Sequence, residues 1–121
     1  MGHLLVVDDR RDICEVIESY LTERGHDVAS ATTVVAAREL LAHQTYDMAI
    51  IDVLMPGEGG LSLAAAAEQR GVPVLLMSGH PMGMDLPERW AGHPLLRKPF
   101  HLSELETALA MLLGWRLPGR G

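Results

Sequence analysis

The sequence has one cysteine, no run of lysine or arginine, and no apolar stretch long enough to cross a bilayer. A single cysteine, Cys14, cannot form an internal disulfide, and we expect it to be an inert thiol on a helix in a reducing cytoplasm. The formal net charge of −6 disfavours a surface for nucleic acid. The N-terminal apolar run is too short, and too soon followed by acidic residues, for a signal peptide. We therefore expect a cytoplasmic domain that contacts neither a membrane nor nucleic acid.

A hydrophobic fraction of 48% in 121 residues is enough for one compact domain with a substantial core. Short apolar runs predict five strands, at residues 3–7, 26–31, 48–51, 72–77 and 94–96. Helical spacing of apolar residues predicts helices between them and after the last, with inward residues that include Val16, Val35 and Leu112. Thr32 and Thr33 are candidate caps for the second helix, and Ser103 for the last. This alternation predicts an α/β fold of five βα units, with a parallel sheet and helices on both faces.

The segment between the fourth and fifth strands is unusual in composition. Residues 78–92 contain two prolines and three glycines, so any helix within them is expected to be short. We expect Trp90, together with Met82 and Met84, to contribute mainly to the local core, with a partner surface as the less favoured alternative.

Charged and hydroxyl side chains follow four of the predicted strands where each strand ends. Asp8 and Asp9 follow strand one, Asp52 follows strand three, and Ser78 and Lys98 end strands four and five. In a doubly wound sheet the carboxyl ends of strands one and three share one crevice. Three carboxylates there would repel one another unless a cation were bound, and oxygen ligands suit Mg²⁺. With an ammonium and a hydroxyl opposite, such a site suits a carboxylate that accepts a phosphoryl group.

Each of these residues taken alone also has an ordinary structural interpretation. Asp8 or Asp9 could cap a helix, as we expect of Asp12, while Lys98 could be a solvated lysine and Ser78 a turn residue. The hypothesis depends on their joint occurrence at strand ends, and on Asp52 in particular. That residue follows a wholly apolar strand and precedes a Met-Pro-Gly turn.

Four segments, VVDDR, IIDVLMPGEGG, LLMSGH and RKPF, occur in this order along the chain. Together they resemble the receiver domain of bacterial two-component response regulators, over residues 3–114. The resemblance implies a flavodoxin-like fold with strand order 2-1-3-4-5. It also implies that residues 1–121 form one receiver domain, with a core at 3–114 and a tail or truncated linker at 115–121.

By this resemblance, Asp52 is the phosphoacceptor of a Mg²⁺-dependent reaction, with Mn²⁺ as a substitute metal. The resemblance places the metal on Asp9, on Asp52 and on the backbone carbonyl of Leu54, with Asp8 acting through a water molecule. A sensor histidine kinase or a phosphotransfer protein would supply the phosphoryl group. The response would pass to an output partner or to a fused output domain.

The resemblance also assigns the residues that would respond to phosphorylation. Ser78 matches the switch hydroxyl and Lys98 the family lysine, whose bond to Pro99 is expected to be cis. The family usually has an aromatic residue three positions before that lysine, where this chain has Leu95. His80, two residues after the hydroxyl, is a candidate modulator of water attack on the phosphoryl group.

Three alternatives remain open at this point. A degenerate receiver would bind proteins without phosphorylation, as Leu95 would allow. A phosphatase of the haloacid-dehalogenase type would need an acid two residues after its nucleophile, where Leu54 stands, so we expect no turnover enzyme. A nucleotide or flavin site would need a glycine-rich loop after strand one, where residues 8–11 read DDRR.

Overall fold

The computed structural model describes residues 2–56, 59–79, 87–90 and 93–113. They contain five strands and four α-helices, in the order β1 (His3–Val7), α1 (Arg11–Glu23), β2 (Asp27–Ala31), α2 (Val34–His43), β3 (Met48–Asp52), α3 (Gly60–Gln69), β4 (Val74–Ser78), β5 (Leu95–Arg97) and α4 (Leu102–Leu113). A single 3₁₀ turn, Glu88–Trp90, precedes β5. The predicted alternation of strands and helices is confirmed except between β4 and β5, where the described residues form only this 3₁₀ turn, and the strand boundaries differ from the predicted ones by at most two residues.

The five strands form one parallel sheet in the order β2-β1-β3-β4-β5. This order confirms the doubly wound, flavodoxin-like fold. Strand β3 lies at the centre of the sheet and every residue in it is buried. Because helices cover both faces of a parallel sheet, a central strand has no face left for polar side chains until it ends.

Two hydrophobic clusters fill the space on either side of the sheet. Because side chains alternate along a strand, Leu4 and Val6 of β1 face one cluster while Leu5 and Val7 face the other. The first cluster is completed by α1 and α4, and the second by α2 and α3. Trp90 of the 3₁₀ turn belongs to the second cluster and is almost fully buried, as expected for a residue of the local core.

Three residues that the periodicity placed inward are in fact exposed. Val16 is 55% exposed, Val35 is 75% exposed, and Leu112 is at the margin with 36%. Successive helical residues are separated by a rotation of about 100°, so Val35 cannot share the buried face of Val34. In α1 that face is formed by Cys14, Ile17 and Leu21.

The two predicted helix caps have different outcomes. The Thr33 hydroxyl accepts a hydrogen bond from the Ala36 N–H at 3.1 Å, which confirms it as the cap of α2. The last helix begins at Leu102, so Ser103 lies inside it and the prediction of a start at Ser103 was wrong. Glu104 Oε1 instead accepts from the N–H of His101, at 2.8 Å.

The connection between β4 and β5 holds no α-helix among the residues that the structure describes. Its described part is the 3₁₀ turn, which is held to its neighbours by side chains. His93 stacks edge-on against Trp90 and hydrogen-bonds the carbonyl of Val74 at 2.9 Å. Arg89 lies over the Trp90 ring and pairs with Glu68 of α3. His80, Met82 and Met84 lie outside the described residues.

Candidate functional site

The polar residues singled out in the sequence lie at one edge of the sheet. Asp52 and Ser78 are the last residues of β3 and β4, while Asp8 and Lys98 directly follow β1 and β5. Parallel strands bring their carboxyl ends to the same edge, which is why residues far apart in sequence meet there. Asp8, Asp52 and Ser78 are all buried.

Lys98 joins the two buried carboxylates. Its Nζ lies 3.1 Å from Oδ2 of Asp52 and also contacts Oδ2 of Asp8 closely. Burial by itself would lower the pKa of Lys98, but the hydrogen bonds to Asp8 and Asp52 outweigh it and the pKa is raised. Burial raises the pKa of Asp8, against the opposing effect of the Lys98 ammonium. The ammonium is therefore held firmly in its charged form.

Backbone N–H groups hold the other oxygen of each carboxylate. Arg10 N donates to Oδ1 of Asp8, and Leu54 N donates to Oδ1 of Asp52, both at 2.9 Å. In each case the donor is two residues beyond the acid, which is the geometry of an Asx turn. The two carboxylates are therefore oriented in the same manner, by a loop N–H on one oxygen and by Lys98 on the other.

Asp9 adds a third carboxylate to this edge of the sheet. One oxygen from each of Asp8, Asp9 and Asp52 can be chosen so that all three lie within 4.8 Å of one another, and Asp9 is solvent-exposed. Hard oxygen donors with an open, hydrated side suit Mg²⁺. Three carboxylates opposed by one ammonium leave an excess negative charge that a divalent cation would neutralise. The residues present therefore fit such an ion.

Gly60 sets the distance between α3 and the central aspartate. A Cβ at this position would lie 1.9 Å from the carbonyl oxygen of Asp52, which is far inside contact distance. Gly59, just before it, has φ of 84°. In the sequence, this pair ends the segment IIDVLMPGEGG and is typical of a turn. The close approach to Asp52 was not predicted, since it depends on where the helix begins relative to β3.

The remaining predicted residues have the following positions. Ser78 is buried, and its carbonyl accepts a hydrogen bond from the N–H of Lys98 at 2.8 Å. The Lys98–Pro99 peptide bond is cis. Leu95 is partly buried and packs against the cluster that contains Trp90. The side chain of Leu54 is 48% exposed, and His80 lies outside the described residues.

The start of α1 carries an ion pair that sequence reasoning missed. Asp12 is in the first turn of α1, rather than at its cap, and binds the Arg10 guanidinium through both of its oxygens, at 2.9 and 3.3 Å. The bond to Arg10 lowers the pKa of Asp12. Two oppositely charged residues that are two positions apart at a strand-to-helix junction could have suggested an ion pair. Their spacing alone does not determine whether the two side chains point towards each other.

None of the helices in the described part of the chain combines the length and the apolar character that a bilayer crossing requires.

The single cysteine, Cys14, is buried on α1 behind the site, and its Sγ lies 3.4 Å from the carbonyl oxygen of Asp8. Burial raises its pKa to about 11.

Comparison with known protein families gives a match over most of the chain. A family model described as the response regulator receiver domain matches residues 4–110. The chain is 32% identical over 114 residues to the transcriptional regulatory protein TctD of Salmonella typhimurium, covering 91% of this chain and 51% of TctD. It is 34% identical over 118 residues to the response regulator protein PilR of Pseudomonas aeruginosa, covering 94% of this chain and 26% of PilR. The chain thus spans about half the length of TctD and about a quarter of PilR.

Solved structures show the same fold. The receiver domain of the Francisella response regulator 1452 matches with a TM-score of 0.78 at 27% identity, covering 94% of this chain and 98% of that domain. The response regulator TrrA of Thermotoga maritima, crystallised in complex with Mg²⁺ and BeF, matches with a TM-score of 0.82 at 28% identity. That match covers 93% of this chain and all of TrrA.

Proposed function

The chain belongs to the response regulator receiver domain family of two-component signalling, and from this premise we propose that Asp52 is its phosphoacceptor. The observation that carries the proposal is the pairing of Asp52 with Lys98, beside two further carboxylates at the same edge of the sheet. The ammonium of Lys98 balances the charge of this carboxylate on one side, and the solvent-exposed Asp9 lies close by.

The proposed reaction assigns a role to each residue. A carboxylate oxygen of Asp52 attacks phosphorus while the bond to the donor breaks. Lys98 stabilises the negative charge on the phosphoryl oxygens, and Ser78 donates a hydrogen bond to one of them. Mg²⁺ would be held by Asp9, Asp52 and the Leu54 carbonyl, with Asp8 acting through water, and would supply charge neutralisation during transfer.

The proposed consequence is a change in the surface that other proteins contact. The new dianion attracts Ser78 at the end of β4, and the Ser78 carbonyl accepts a hydrogen bond from the N–H of Lys98, the residue that follows β5. We propose that residues 1–121 form a single receiver domain, with its core at 3–114. Because longer relatives such as TctD are named as transcriptional regulators, we propose that the signal reaches an output partner or a fused output domain.

The donor and the fate of the adduct follow from the same proposal. A sensor histidine kinase or a phosphotransfer protein would provide the phosphoryl group, and water would later remove it without the chain acting as a turnover enzyme. Leu54 offers no acid to protonate a leaving group, which disfavours a phosphatase.

One observation favours a second candidate function. Leu95 is aliphatic and partly buried against the Trp90 cluster, so it offers no aromatic ring to move with Ser78. A receiver that binds its partner without phosphorylation is therefore the alternative. It predicts equal partner binding by the parent and by the Asp52→Asn variant.

The test is formation of an acyl phosphate. The protein is incubated with Mg²⁺ and acetyl phosphate, and intact mass is recorded with time. We expect an adduct of one phosphoryl group that requires Mg²⁺ and is absent from Asp52→Asn. Asp27→Asn, an exposed acid at the opposite edge of the sheet, is the matched control and should behave like the parent. An equal adduct in Asp52→Asn, or none in the parent with acetyl phosphate or a kinase, contradicts the proposal.

A further inference from the structure

A groove of about 500 Å³ opens beside the acidic edge of the sheet. Its lining includes Arg10, Gly79 and Lys98, together with apolar side chains from α1 and from residues 99–102. Lys98 also binds Asp52, and Gly79 directly follows Ser78. A molecule that approaches Asp52 from this side therefore passes the Arg10 side chain.

Among the residues that the structure describes, Arg10 and Lys98 are the cationic side chains that line this groove, and Asp12 is the acidic one. The two cationic side chains differ in how readily they could bind an incoming anion. Lys98 is mostly buried and already binds two carboxylates. Arg10 is exposed, and its guanidinium binds one exposed carboxylate, that of Asp12.

The Arg10–Asp12 pair can be exchanged at little cost. Ion pairs between solvent-exposed side chains contribute little to stability, and both members here are about two-thirds exposed. A phosphoryl dianion offers a guanidinium two oxygens in the same bidentate geometry, with twice the charge of a carboxylate. The backbone N–H of Arg10 binds Oδ1 of Asp8, so the residue stays anchored at the site while its side chain moves.

The negative charge of this edge of the sheet explains why a cation beside the groove would help an anionic donor to bind. Asp8, Asp9, Asp12 and Asp52 all lie around the end of the sheet, and they repel a negatively charged donor. An exposed cation at the entrance reduces this repulsion and raises the local concentration of the anion.

We propose that Arg10 is a donor-binding residue: its guanidinium leaves Asp12 and binds the phosphoryl dianion of the incoming donor. This inference rests on the proposed function of Asp52 as phosphoacceptor. With acetyl phosphate, a carboxylate oxygen of Asp52 forms the new P–O bond, and acetate leaves with the electron pair of the broken one. With N-phosphoimidazole the P–N bond breaks instead, and the leaving imidazole takes one proton from solvent.

The test compares phosphorylation rates of variants with both small donors in excess Mg²⁺, followed by intact mass. We expect Arg10→Gln to lower the second-order rate constant about fivefold, because both steering and binding are lost. The matched control is Arg11→Gln, an equal charge change at an exposed residue that does not line the groove, and it should change the rate less than about twofold. Arg10→Lys should fall between them, since it keeps the charge without the planar fork.

Two further measurements separate donor binding from a structural role of Arg10. Asp12→Asn frees the guanidinium and should raise the rate about twofold, and high salt should reduce the difference between Arg10→Gln and the parent. Melting temperatures of all variants should be close to that of the parent, since the pair is exposed.

The outcomes distinguish this inference from the proposed function. If the parent forms the adduct and Arg10→Gln reacts at the rate of Arg11→Gln, the inference is overturned while Asp52 remains the acceptor. A loss with only one of the two donors also overturns the inference, because the phosphoryl group that Arg10 is proposed to bind is common to both. Absence of an adduct in the parent overturns the proposed function, and this inference with it.

Discussion

The ammonium of Lys98 lies 3.1 Å from Oδ2 of Asp52, and it also contacts Asp8, a residue 90 positions earlier in the chain. One positive charge is therefore shared between two buried carboxylates. The loop N–H groups of Arg10 and Leu54 hold the opposite oxygens. Both acids are fixed in orientation before any metal or phosphoryl group arrives, so little rearrangement of these two side chains is needed to bind one.

Removal of the lysine charge should destabilise the fold. In Lys98→Met the fully buried Asp8 loses its charged partner, and we expect the free energy of unfolding to fall by about 2 kcal/mol at neutral pH. Urea denaturation measures this, and Arg97→Met, an exposed neighbour on β5, should change it by less than about 0.5 kcal/mol. Millimolar Mg²⁺ should restore part of the loss. An unchanged Lys98→Met stability in the absence of metal would contradict the pairing.

Gly60 should not tolerate a side chain. In Gly60→Ala the added methyl would lie 1.9 Å from the Asp52 carbonyl oxygen, so α3 must move away from β3, at a cost of about 3 kcal/mol. Gly71→Ala is the control, since φ there is 79° but no atom lies within 4 Å, and backbone strain alone should cost about 1 kcal/mol. Thermal melting compares the two. Equal losses would show that the contact with Asp52 does not decide the cost.

Stability should fall in mild acid because of His26. Burial lowers the pKa of this side chain below its usual value, and its Nδ1 accepts a hydrogen bond from Gly2 N at 3.3 Å. The unfolded chain therefore takes up a proton before the folded one does. The contribution is fully present above the unfolded pKa of about 6.5 and is lost as the pH falls from there towards the folded pKa.

His26→Gln should remove this dependence. Between about pH 8 and about pH 5.5 we expect the parent to lose about 1 kcal/mol more unfolding free energy than the variant. His43→Gln, at an exposed position on α2, should retain the parental profile. Parallel pH profiles for the parent and His26→Gln would contradict the assignment.

Cys14 should react only in the unfolded chain. Burial raises its pKa to about 11, and its Sγ lies 3.4 Å from the Asp8 carbonyl oxygen. At about pH 8 iodoacetamide should modify the native protein at least about 100-fold more slowly than the protein in urea, since both the thiolate fraction and access are reduced. Mass spectrometry follows the modification. Rapid modification of the native protein would contradict the burial of Cys14.

The fold was predictable because its signals are local. Apolar runs of strand length, such as the one that ends at Asp52, alternate with stretches of helical spacing, and this alternation admits few topologies. The errors also have local causes. Val35 and Leu112 were assigned inward because hydrophobicity was taken as burial, while a helix presents only one stripe to the core.

Other features could not be read from the chain. The steric exclusion of a side chain at Gly60 depends on the distance between α3 and the backbone of Asp52. The Arg10–Asp12 pair depends on where α1 begins, and a one-residue shift would turn both side chains by about 100°.

The sequence by itself determined the order of strands and helices, and the residue types that stand at each strand end. It could do so because hydrophobic periodicity and turn chemistry act over a few residues. Only the tertiary structure decided that one ammonium serves both Asp8 and Asp52, and that Arg10 borders the same groove as Lys98. These contacts join residues up to 90 positions apart, and their distances depend on strand register and helix placement, which packing of the whole core sets.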